Sequence, residues 1–102
     1  MAYRVVLTEL ASDELLRIHV FERRRIIDQS ESQLSQRPEE PARHRKKLGT
    51  IPASFEYVPP LWELRIGEFR VFYDADVNEQ TVYIRAVRRK RSGQTTEDVI
   101  NE

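Results

Sequence analysis

The stretch LWELRIGEFRVFYD, residues 61–74, alternates apolar and polar side chains on either side of Gly67-Glu68. That pattern reads as two strands joined by a two-residue loop, and Gly in the first loop position fits a type II′ hairpin turn. Counting outward pairs Ile66 with Phe69, Arg65 with Arg70, Leu64 with Val71, Glu63 with Phe72 and Trp62 with Tyr73. One face is then wholly apolar: Trp62, Leu64, Ile66, Phe69, Val71 and Tyr73. The other carries Glu63, Arg65, Arg70, Phe72 and Asp74. Arg65 lies directly across from Arg70, and like charges at opposed positions destabilise a strand pair.

Upstream, YRVVL (3–7) is short and β-branched and predicts a first strand. Thr8 is placed to cap a helix, with Glu9 favourable in its first turn. Ala11, Leu15 and Ile18 recur on one helical face. A second helical stretch from about Phe21 to Leu34 presents Ile27, Ser30 and Leu34, with Ile26 beside them. No Gly or Pro separates the two, so one bent helix and a helical hairpin are both open. Residues 35–60 hold all five prolines and read as a connector, with a helical turn around Arg43–Leu48. After the hairpin, VYIRAVRR (82–89) is a further alternating strand, and Thr95 or Thr96 caps a short C-terminal helix. The order β-α-α-β-β-β predicts one α+β domain over residues 1–102, an antiparallel-rich sheet of about four strands with two helices on one face.

Composition narrows the function classes. The 102 residues contain no cysteine, which excludes disulfides and zinc–thiolate centres. No apolar run approaches a membrane span, and MAYRVVLTEL lacks a signal-peptide layout, so a cytoplasmic location with no membrane partner is expected. Net charge is zero, yet basic residues cluster at 23–25, 43–47 and 88–91. Such patches suit a polyanionic partner without requiring one.

Three segments together, YRVVLTELASDEL, WELRIGEFRVFYD and VYIRAVRRK, resemble the RelE/ParE superfamily of type II toxin–antitoxin toxins. The signature Leu-Arg-x-Gly-x-(Tyr/Phe)-Arg-Val-x-Tyr spans Leu64 to Tyr73, and the resemblance covers roughly residues 3–90. It implies a RelE-like fold whose second sheet face is open and concave. It also implies neutralisation by a cognate antitoxin, and one of two targets. RelE-like members enter the ribosome and cleave mRNA as metal-independent endoribonucleases (mRNA interferases), which inhibits translation; ParE-like members inhibit DNA gyrase without nucleolysis. A binding-only member is a third reading, since fold alone does not fix activity. No metal or other cofactor is implied.

The resemblance carries roles onto particular residues. Arg70 matches the active-site arginine of the RelE-like motif, and its fixed cationic fork suits phosphate. A structural ion pair with Glu63 or Asp74 is the competing reading. Arg65 belongs to the same motif, as a catalytic or a structural residue. Lys90 is a candidate proton donor, and Arg88, Arg89 and Arg91 beside it are candidate RNA contacts. His44 and Lys47 in the basic connector are further RNA-binding candidates; histidine is also a residue type suited to acid–base chemistry. Two departures stand out. Leu61 and Glu63 occupy hairpin positions where RelE-like nucleases often carry lysines, and RSGQTTEDVI supplies no Tyr or His after the last strand. Glu63 is a further candidate base, set beside two arginines.

Overall fold

A computed structural model describes residues 2–102. The elements are β1 (Arg4–Leu7), α1 (Glu9–Leu16), α2 (Val20–Leu34), β2 (Arg45–Gly49), β3 (Leu61–Ile66), β4 (Phe69–Asp76), β5 (Thr81–Arg89) and α3 (Thr96–Ile100). The five strands form a single sheet in the order β1-β5-β4-β3-β2. Only β1 and β5 run parallel; the other neighbours are antiparallel.

The β3–β4 hairpin has the register expected from its sequence, from Ile66 opposite Phe69 out to Trp62 opposite Tyr73. Gly67 has φ +58°, a conformation that a side chain resists. A Cβ there would also lie 2.7 Å from a guanidinium nitrogen of Arg25, which reaches over the turn from α2.

The helical region is a hairpin of two helices. The Thr8 hydroxyl caps α1 by accepting from the Ala11 N–H at 3.3 Å and itself donates to the Ile84 carbonyl at 3.0 Å, tying the helix start to β5. The break needs no Gly or Pro because His19 starts α2, its Nδ1 accepting from the Phe21 N–H at 3.3 Å. The buried stripe of α2 is Ile26, Ser30 and Leu34, while Ile27 is turned largely to solvent. The inward isoleucine is therefore the neighbour of the one expected, because the i, i+4, i+8 row is the one that meets the sheet.

Residues 45–49 correct the expected helical turn. They form a fifth strand, with Lys46 opposite Glu63 and Lys47 opposite Trp62, and a register shift before Gly49. This is an edge strand, and its lysines suit an edge that must not recruit another chain.

Two apolar clusters flank the sheet. Helices α1 and α2 pack on the predicted apolar face, where Leu64, Val71 and Tyr73 are essentially sealed from solvent. The opposite face is only partly open. There Val99 and Ile100 of α3 join Leu61, Phe72 and Ala86, with Phe55 and Tyr57 of the connector alongside. Thr95 holds α3 in place through a reciprocal capping box with Asp98. Among the described residues no helix is long and apolar enough to cross a membrane.

Candidate functional site

What α3 leaves uncovered is a cleft of ≈ 180 Å³ at the β2–β3–β4 end of that face. It is lined by Arg43, His44, Arg45, Lys46, Glu63, Arg65, Arg70 and Thr96. Strand alternation explains the set. Lys46 pairs with Glu63 and Arg65 pairs with Arg70, so their side chains project to one side. One carboxylate thus sits among several cationic side chains.

Arg70 is tucked in. Its guanidinium donates to the Gly67 carbonyl at 2.9 Å and the Phe69 carbonyl at 3.0 Å, and its Nε lies 4.0 Å from Glu63 Oε2. Burial lowers its pKa; Glu63 opposes that drop and Arg65 adds to it. An arginine so placed remains a cation under physiological conditions. Arg65, by contrast, is exposed, and its guanidinium lies 3.2 Å from His44 Nδ1. Arginine only donates, so Nδ1 accepts and a neutral His44 ring carries its proton on Nε2. Asp74 is occupied elsewhere: Arg85 grips both of its oxygens, at 2.7 and 3.1 Å. Of the two carboxylates weighed as partners for Arg70, Glu63 is the neighbour.

Glu63 is buried, with both contacts on one oxygen. Thr96 Oγ1 donates to Oε2 at 3.3 Å, and the Arg70 Nε approaches the same atom. Oε1 has no hydrogen-bond partner among the described residues. It is not one of the sealed, unpartnered side-chain atoms, which are Ser30 Oγ and Trp62 Nε1. Glu63, which lines the cationic cleft, thus keeps one carboxylate oxygen without a protein partner among the described residues.

The remaining candidates lie apart. Lys47 pairs with Trp62 and does not line the cleft. Arg88 is buried and engaged by the protein itself, donating to Glu14 at 2.9 Å, Ser54 Oγ at 2.8 Å and the Val99 and Ile100 carbonyls at 3.0 and 2.9 Å. Arg89 pairs with Glu22 at 2.9 Å, and Arg89 and Arg91 line a separate depression of ≈ 440 Å³ with Glu14, Glu22 and Glu102. Lys90 lines neither depression; its backbone N–H donates to the Glu68 carbonyl at the hairpin turn, 2.7 Å away. Conversely, the cleft also holds Arg43, Arg45, Lys46 and Thr96, which no motif in the sequence marks as site residues. Lys46 becomes visible only once 45–49 is recognised as a strand opposite β3.

This architecture defines a toxin fold of the RelE type. It is similar to a chain of the toxin–antitoxin complex RelBE2 from Mycobacterium tuberculosis, with TM-score 0.70 and 24% identity, covering 89% of this chain and 100% of that one. The RelE–RelB complex of the archaeon Pyrococcus horikoshii gives 0.68 and 20%, covering 92% and 100%. A free mutant form of the E. coli toxin RelE gives 0.66 and 17%, covering 98% and 95%. No curated protein matches the chain. The family of ParE toxins of type II toxin–antitoxin systems (parDE) matches residues 5–92, and the chain belongs to that family, within the RelE/ParE superfamily.

Proposed function

We propose that this toxin acts as a RelE-like endoribonuclease, cutting mRNA on the ribosome through attack by a ribose 2′-hydroxyl. The observation that carries the reading is a carboxylate, Glu63, that lines the cationic cleft with its Oε1 unpartnered. The 2′-hydroxyl gives its proton to Oε1 while its oxygen bonds to phosphorus. Arg65 and Arg70 balance the charge that builds on the phosphoryl oxygens. The bond from phosphorus to the 5′-oxygen then breaks, and the Lys46 ammonium supplies the proton to that leaving oxygen. Lys90 and Lys47, outside the cleft, are assigned no step. The natural partner is a cognate antitoxin whose acidic side chains cover the same cations, as expected for a toxin of this family.

A second reading, gyrase inhibition of the ParE type, draws support from the ParE family match and from Arg70, which spends two donors on backbone carbonyls. Translation in a reconstituted system with primer extension, run beside a gyrase supercoiling assay, separates the two. Under the endoribonuclease reading, added toxin cuts ribosome-bound mRNA, Glu63→Gln abolishes the cuts, and supercoiling continues. Intact mRNA with arrested supercoiling would replace that reading with the second.

A further inference from the structure

The chain lacks a Tyr or His after its last strand, yet its C-terminal segment still reaches the cleft. The capping box fixes the start of α3: the Thr95 hydroxyl accepts from the Asp98 N–H at 3.1 Å, and the Asp98 carboxylate accepts from the Thr95 N–H at 2.9 Å. Val99 and Ile100 are buried on the sheet. The end is clamped from below, because Arg88 donates to the Val99 and Ile100 carbonyls, and the Ser54 hydroxyl donates to the latter at 2.9 Å. With both ends of a five-residue helix fixed, the side chain of its first residue is set over Glu63.

We infer that Thr96 is a positioning residue for the cleavage step. Its hydroxyl and the Arg70 guanidinium both address Oε2 of Glu63, which leaves Oε1 as the acceptor for the 2′-hydroxyl proton. The C-terminal helix is then part of the reaction centre, and the hydroxyl it brings orients a base instead of donating a proton. The inference rests on the endoribonuclease reading.

The test compares single-turnover cleavage of ribosome-bound mRNA by the wild-type chain, Thr96→Val, Thr96→Ala and Thr96→Ser, with melting curves for each. Removing one hydrogen bond to a charged group should slow cleavage about tenfold in both hydroxyl-free variants. The concentration of ribosome complex at half-maximal rate should be unchanged, and Thr96→Ser should restore the rate to within about twofold. Melting points should not track the rates. Wild-type speed in a folded hydroxyl-free variant would overturn the inference. So would equal slowing in Thr96→Ser, which would make the residue a packing element. If the wild-type chain itself cuts nothing, the endoribonuclease reading falls and takes this inference with it. That failure differs from the others because all four chains are then silent.

Discussion

Arg65 and Arg70 face each other across the hairpin, and the hairpin tolerates them because their guanidinium groups part company. Arg65 leans toward His44, while Arg70 folds back onto the carbonyls of Gly67 and Phe69 beside Glu63. Removal of each should therefore have a different effect. Arg70→Ala strips two carbonyls of their donor and leaves a buried carboxylate without its nearest cation, so it should cost about 1–3 kcal/mol. Arg65→Ala removes an exposed charge and relieves a repulsion, and should fall within about 0.5 kcal/mol of wild type. Urea denaturation of the two variants measures both. Equal stability would mean that Glu63 does not depend on Arg70. In either outcome Arg70 can still hold phosphate, because a brace and an anion site are compatible roles for one arginine.

Among the elements, those with their own local signal were legible from sequence. The β3–β4 hairpin declares its turn through Gly67 and its helix-facing side through an unbroken apolar row at alternate positions, so its register followed by counting. The short α3 declared itself through Thr95 and the acidic residues of its first turn. Strand β2 has no such signal. RKKLG has no apolar alternation, and it is a strand because β3 offers it an edge. Helix α2 showed its existence but not its face: Ser30 occupies the middle of the buried row, so apolar weight alone does not separate Ile26 from Ile27. The site inherits these limits. Arg65, Arg70 and His44 were reachable through motif and composition, and they do line one cleft. Lys46 and Thr96 depend on the β2 register and on the seating of α3, which are tertiary facts. Arg88 reads from sequence as a candidate RNA contact in a basic run, but strand alternation and the cover of α3 turn it inward.

Across the whole molecule, the connector after α2 is fastened to the sheet by polar groups. The Tyr73 hydroxyl donates to the Pro38 carbonyl at 2.7 Å, and Arg45 donates to the Gln33 and Glu40 carbonyls at 2.8 Å each. Burial pushes the Tyr73 phenol well above its ordinary range; Arg45 partly opposes this and Glu39 adds to it. A folded pKa above the unfolded one means that the native state keeps a proton the unfolded chain releases. The associated stability is complete below about pH 10 and declines as the pH rises toward the folded value. Tyr73→Phe should lose about 1 kcal/mol at neutral pH through the orphaned Pro38 carbonyl, yet lose less than wild type between pH 9 and pH 11 (roughly the range where tyrosine titrates). Urea midpoints across that range measure the difference, and parallel curves for the two chains would refute the assignment.

The parallel pairing of β1 with β5 joins Arg4–Leu7 to Thr81–Ile84, almost opposite ends of the chain. During synthesis β1, α1 and α2 emerge first, and β1 has no sheet neighbour until β5 follows. Without β5 the sheet cannot close, and α1 loses most of its contact with the strands. The nascent chain therefore cannot complete its sheet until residues 81–89 have been made. Stalled nascent chains of graded length should become protease-resistant only once residues 81–89 have emerged, and resistance in a chain ending before Thr81 would contradict this order of events.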